Sequence, residues 1–202
     1  MIELKWLYEG DYATCLAEQF ACVNRVKDGN SGIILGAEHS PCITLGRRNK
    51  DWIPGPMCKI PVHSIQRGGL ATYHGPGQAT IYPIIPIFDY KLGVRRWAEL
   101  IEESTIEALG HVGVSAYTRS KCPGVYASQG KIASIGFHVM EGISMHGVSV
   151  IVSHQLSGFQ HIDPCGIPNQ PLTSIENEKG DKTDVKAFGE LLMKQIKMRL
   201  QA

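Results

Sequence analysis

Hydrophobic residues return at helical spacing after Asp11, with Leu16, Phe20 and Val23 on one side, and the pattern stops at Asp28-Gly29. An aspartate ahead of the first turn offers an acceptor to free N–H groups, and a glycine after the last turn lets the chain leave. A helix is therefore predicted between them. Positions 93–110 read as a second helix, because Trp97, Leu100, Ile101, Ser104, Ala108 and Leu109 fall on one face of a 3.6-residue period. A third follows Asp184, with Val185, Phe188, Leu192, Ile196 and Leu200 inward.

Elsewhere the pattern is that of strands. Positions 32–36 and 42–45 read as short buried strands around a His39-Ser40-Pro41 turn, and 54–61 as a loop. A strand is predicted at 62–66 and another at 80–87, the second at an edge or bulge because Pro83 and Pro86 cannot donate to a ladder. Further β segments are predicted near 114–117, 125–128, 131–140 and 145–153. In the last, Val148, Val150 and Val152 alternate with Ser149, Ile151 and Ser153, the period of a half-buried strand. Positions 155–174 read as a long turn region. A β-rich centre with helices before, between and after it predicts one α+β domain over 1–202 and not alternating βαβ units.

Composition narrows the function classes. A chain of 202 residues buries roughly 70% of its unfolded surface as a single domain. A net charge of +1 with 19% charged residues lacks the basic footprint of a nucleic-acid partner. No segment approaches the ~20 apolar residues of a membrane helix. The N-terminal stretch has no signal-peptide pattern, so a cytoplasmic protein is expected, and a monomer. Six cysteines, at 15, 22, 42, 58, 122 and 165, form no CxxC pair, which argues against a structural metal site. Cys15 and Cys22 lie seven apart on the first helix and read as packing residues.

Candidate chemistry begins with Arg67-Gly68-Gly69-Leu70-Ala71-Thr72-Tyr73-His74-Gly75-Pro76-Gly77-Gln78. Four glycines and a proline among Arg, Thr, Tyr, His and Gln describe a shaped wall for a ligand more than a plain turn. Cys165, between Pro164 and Gly166, is the thiol most suited to being presented rather than packed. A nucleophilic thiol needs a nearby cation, histidine or helix N-terminus. Lys131 is the best cation, with His74, His146, His154 and His161 as competitors. From the residues alone, Cys165 stands open between a structural and a catalytic thiol.

Seven stretches together carry a resemblance: Thr44-Leu45-Gly46-Arg47, the run 67–78, Pro123-Gly124-Val125, Lys131-Ile132-Ala133-Ser134-Ile135-Gly136, His146-Gly147, Pro164-Cys165-Gly166 and Thr173-Ser174. In these the chain resembles the octanoyltransferases of lipoic acid biosynthesis, the lipoyl(octanoyl) transferases. The resemblance implies a mixed sheet flanked by helices, as in the biotin/lipoate ligase group. It implies transfer of octanoyl from acyl carrier protein to Cys165, then to a lysine on a lipoyl domain of a 2-oxoacid dehydrogenase or of the glycine cleavage protein, with no cofactor. Lys131 would lower the thiol pKa. Arg67, Gly68, Gly69, Leu70, Ala71, Thr72, Tyr73 and His74, with Ser134, Ile135, Gly136, Gly147, Val148 and Ser149, would line the acyl site.

The chain departs from the family where two asparagines and an aspartate are usual: Ile151, Ser153 and Gln155 stand there. Two other readings remain at this level. A lipoate–protein ligase would share the fold and use ATP, but such ligases follow their glycine run with Asp, where this chain has His74-Gly75-Pro76-Gly77-Gln78. A non-catalytic module binding acyl carrier protein or lipoyl domains would account for the altered 151–155 segment.

Overall fold

Two segments, 78–84 and 143–151, are buried at every position, a demand only the middle of a sheet can meet. In the computed structural model, which describes residues 1–7, 10–49, 55, 58–120, 122–153 and 157–201 and of Cys165 the backbone alone, they are neighbouring central strands. The strands are β1 (Glu3–Trp6), β2 (Ile33–Ala37), β3 (Cys42–Leu45), β4 (Val62–Ser64), β5 (Ala71–His74), β6 (Gln78–Ile84), β7 (Tyr117–Thr118), β8 (Val125–Ala127), β9 (Gly130–Met140) and β10 (Ile143–Ile151). Seven form a mixed sheet in the order β1-β2-β6-β10-β9-β8-β7, with only β1 and β2 parallel. The other three form a small sheet, β4-β3-β5.

The helices are α1 (Tyr12–Lys27), α2 (Val94–His111), α3 (Ile175–Lys179) and α4 (Val185–Gln201). Asp11 caps α1 by accepting from Thr14 N at 2.9 Å, and Asp184 accepts from Ala187 N at 2.6 Å. Helices α2 and α4 cover one face of the large sheet, where Ile34, Ile81, Val148 and Val150 meet Trp97, Ile101, Phe188 and Leu192. Helix α1 covers part of the other face, over Leu35, Tyr82 and Ile84. The small sheet continues that cover, with Tyr12, Cys42 and Ile65 packed at the junction.

Four expectations change. Strand β6 is central, not an edge. It keeps Pro83 because the β10–β6 pairing is interrupted beside it, between the Ile81–Val148 and Pro86–Ile143 pairs, and Gly147 fits where a Cβ would meet Ile81 O and, at 2.7 Å, Pro83 Cδ. Strand β10 is buried on both faces, since its serine side lies under the small sheet. The strands at 33–37 and 42–45 belong to different sheets. In α1 the inward face is Tyr12, Cys15, Gln19, Cys22, Val23 and Val26, while Phe20 is exposed. The turn region before α3 contains two 3₁₀ turns, Ser157–His161 and Pro164–Gly166; His154 and Gln155 lie outside the described residues.

Candidate active site

The glycine-rich run is not a continuous loop. Its middle is strand β5, paired with β3, and the period of two sorts its side chains. Ala71 and Tyr73 turn into an apolar cluster with Ile43, Ile151 and Phe159. Thr72 and His74 turn the other way, into a pocket of about 390 Å³ with its mouth. The pocket lies between β5 and the large sheet and is also lined by Arg67, Ser134, Ile135, Gly136, Gly147, Val148 and Ser149. Nine of the expected site residues thus meet in one place. His146, named from the sequence as a competing partner for the thiol, also lines it, as do Tyr12, Thr80 and Tyr82, which sequence reasoning did not single out. The only hint was alternation on β6, which sets Thr80 and Tyr82 on one face.

Gly68, Gly69 and Leu70 are stitching, not lining. Gly68 N donates to Phe137 O at 3.0 Å, while the carbonyls of Gly69 and Leu70 accept from Arg48 N and Gly46 N, each at 3.1 Å. These bonds tie the run to the Gly46 turn and to β9. At the far end of the run, Gly77 N donates to Glu38 Oε1 at 2.7 Å, and Gly77 O accepts from Val152 N at 2.8 Å. The departure at Ile151 has a physical account: it closes the apolar cluster under Tyr73 and Phe159 and makes no use of an amide.

Around the pocket one buried cation, Arg67, stands among histidines held neutral by burial. Arg67 is buried and gives its guanidinium N–H groups to Thr44 O (2.7 Å), Thr44 Oγ1 (3.0 Å) and Gly68 O (2.9 Å). Burial pulls its pKa down to about 10. Burial likewise pushes His39 down to about 4 and His74 well below the usual value. His146 falls to about 3, through burial first and then the charge of Arg67. His146 has φ of +58°, rare outside glycine, and its freed N–H donates to Gln19 Oε1 of α1 at 3.0 Å.

These three histidines carry a pH prediction. Each has a folded pKa below its unfolded value of about 6.5, so the unfolded state binds more protons in acid. Stability should be flat above about pH 6.5 and fall as pH drops towards the folded values. By pH 5, His39 and His146 should each cost about 2 kcal/mol. Urea midpoints measured between pH 7.5 and 5 check this; a midpoint that does not move would refute the neutral assignment.

Lys131 sits apart from this pocket's lining, at the start of β9. A β-bulge aims it. Val125 pairs with Ala133 but Tyr126 pairs with Lys131, so β9 carries one extra residue, Ile132. Ile132 and Ala133 therefore both enter the α2–α4 core, and Lys131 turns to the opposite face beside Tyr126. Its ammonium is buried, 2.8 Å from Pro123 O, 3.9 Å from Cys122 Sγ and 5.7 Å from the Tyr126 ring centre. Its backbone bonds to the arriving chain: Lys131 N donates to Pro171 O at 2.9 Å and Lys131 O accepts from Thr173 N at 3.0 Å. The 3₁₀ turn holding Cys165 packs against β5, with Gly166 against Leu70. His161 ends the preceding 3₁₀ turn.

Gly124 makes Lys131's place possible. Its φ is +129°, and a Cβ there would lie 2.7 Å from Lys131 Cε and 2.5 Å from Ala133 O. Gly124→Ala should therefore destabilise by about 1–3 kcal/mol and displace the ammonium. Thermal unfolding checks it, and a variant with unchanged Tm would contradict the crowding.

The chain matches the lipoyl protein ligase A/B catalytic domain over residues 11–197 and belongs to that family. It is 40% identical over 156 residues to an octanoyltransferase of Shewanella frigidimarina, covering 77% of this chain and 72% of the relative. It is 35% identical over 201 residues to an octanoyltransferase of Shewanella halifaxensis, covering 98% and 90%. Among solved structures, a lipoate-protein ligase A bound with ATP superposes with a TM-score of 0.80 at 14% identity, over 98% of this chain and 85% of the other. A biotin protein ligase from Aquifex aeolicus with biotin and ATP gives 0.60 at 16% identity, over 98% and 70%. At such identity these two share the fold, a mixed sheet flanked by helices. No helix among the described residues is long and apolar enough to cross a membrane.

Proposed function

We propose that the chain is an octanoyltransferase that takes octanoyl from the thioester of acyl carrier protein onto Cys165 and passes it to a lysine of a lipoyl domain. The observation that carries this reading is Lys131. A buried ammonium, re-aimed by a bulge and held by Pro123 O, is costly to bury and is suited to stabilising a thiolate.

In the first step the Cys165 thiolate attacks the thioester carbonyl. A new C–S bond forms, the bond to the carrier's sulfur breaks, and the carrier leaves as a thiolate that takes up a proton. Exchange of one thioester for another is near thermoneutral and needs no nucleotide. In the second step the acceptor lysine's neutral amine attacks, an amide forms, and Cys165 is released as thiolate. The amine's proton passes to a base, a role open to Lys131 once its ammonium has given its proton to the departing carrier thiolate in the first step. The octanoyl chain lies in the pocket lined by Arg67, Thr72, His74, Ser134, Ile135, Gly136, Gly147, Val148 and Ser149. Each buried CH₂ contributes about 0.8 kcal/mol there. The lipoyl domains are those of 2-oxoacid dehydrogenases and of the glycine cleavage protein.

Intact-mass measurement after incubation with octanoyl-acyl carrier protein, without nucleotide, tests the proposal. One octanoyl adduct at Cys165, discharged by added lipoyl domain, is expected. Transfer that appears only with ATP would favour a ligase, and an absence of both adduct and transfer would favour a binding module.

A further inference from the structure

Beside the pocket lies a second, open cavity, of about 620 Å³ with its mouth, lined on its inner side by Leu7, Cys15 and Ala37 and at its polar rim by Asp11, Glu18 and Glu38. No described residue lines both cavities. What separates them is a packed group of rings, in which the His74 ring centre also lies 5.9 Å from that of Tyr12 and 5.7 Å from that of His39. Tyr12 and Tyr82 line the first cavity and His39 the second, yet His39 Nε2 and Tyr82 Oη are 2.6 Å apart. The ring centres of Tyr12 and His39 are 5.4 Å apart. All three side chains are 2% exposed, so the wall is dry and packed.

The sheet order gives the wall its meaning. Lys131 is on β9, and the pocket crosses from β9 over β10 at Ser149 to β6 at Thr80 and Tyr82. At about 4.8 Å per strand that is roughly 10 Å, after which β2 and the second cavity begin. A chain that starts at the Lys131 edge and runs across the sheet therefore meets the Tyr12–His39–Tyr82 layer at its far end.

We infer that Tyr12 and His39 are the end wall of the acyl pocket and set the longest acyl chain it admits, and that removing either ring joins the pocket to the second cavity. This rests on the acyl-transfer reading above. Tyr82, on a central strand, anchors the wall through its bond to His39.

The test is thioester formation by intact mass, with acyl carrier protein loaded with saturated chains from hexanoyl to tetradecanoyl. In the natural protein, loading should rise about fourfold per added CH₂ up to the wall and then drop. In His39→Ala and in Tyr12→Leu the dodecanoyl-to-octanoyl ratio should rise tenfold or more. Cys15→Met, placed in the second cavity of the His39→Ala protein, should bring the ratio back down. A natural protein whose loading keeps rising through tetradecanoyl overturns the wall without any variant. A folded variant that keeps the natural ratio overturns it as well. Failure of the natural protein to load any chain would instead overturn the acyl-transfer reading and not the partition between the cavities.

Discussion

Under the proposed mechanism, serine in place of Cys165 should abolish the octanoyl thioester and lower transfer to a lipoyl domain by roughly 10³-fold or more. The reason is chemical. A serine hydroxyl is scarcely ionised near neutrality, and the ammonium that favours a thiolate cannot bring an alcohol down to the same range. Any oxygen ester formed slowly would be lower in energy than the incoming thioester and would resist discharge. The backbone at this position is a short 3₁₀ turn in which Gly166 N donates to Asp163 O at 2.8 Å, and an exchange of sulfur for oxygen leaves that turn intact. Far-UV circular dichroism and Tm should therefore stay near the natural values. Intact mass over the time course of a full turnover reads the outcome. Should loading and discharge continue at the natural rate, the nucleophile is elsewhere, and Cys122, 3.9 Å from the Lys131 ammonium, is where to look.

Replacing Lys131 by methionine should nearly match it in impact. Methionine keeps most of the buried stem and removes the charge. Pro123 O loses its 2.8 Å donor, at a cost of about 1–3 kcal/mol, so the protein still folds with a lower Tm. Transfer should fall about 10²–10⁴-fold, the usual range for removing a proton-transfer or thiolate-stabilising group. The readout that separates this from mere destabilisation is the pH profile of alkylation at the Cys165 peptide, followed by mass spectrometry. Loss of a nearby cation moves that profile to higher pH, since the thiolate is no longer favoured. A profile that stays put while Tm falls would reduce Lys131 to a structural residue.

Legibility followed the range of the interactions. Helices α1 and α2 and the last helix were readable because caps at Asp11 and Asp184 and the apolar stripe of α2 are local. The face of α1 was misread for a long-range reason. Gln19 is buried because the left-handed turn at His146 frees an N–H that needs an acceptor, and Phe20 is turned out as a consequence. Strand β5 was hidden inside the glycine run, since its partner β3 lies across the Gly46 turn and the β4 strand. Pro83 looked like an edge marker, and only the local interruption of the β10 pairing between Gly147 and Ser144 shows how a central strand keeps it.

The sequence by itself determined the vocabulary of the site: the candidate residues, the order in which they come, and the family to which the chain belongs, because motifs are written in residue identity and spacing. The tertiary structure decided where each group acts. It divided the glycine run between Thr72 and His74 on the pocket side and Gly68 to Leu70 as stitching, and it brought Tyr12, Thr80 and Tyr82, which no motif announced, into the same pocket. It also turned Lys131 away from the core through one extra residue on β9. The physical reason is that strand register, bulges and the pairing of two sheets are set by contacts between residues far apart in the chain, which periodicity along the chain does not record.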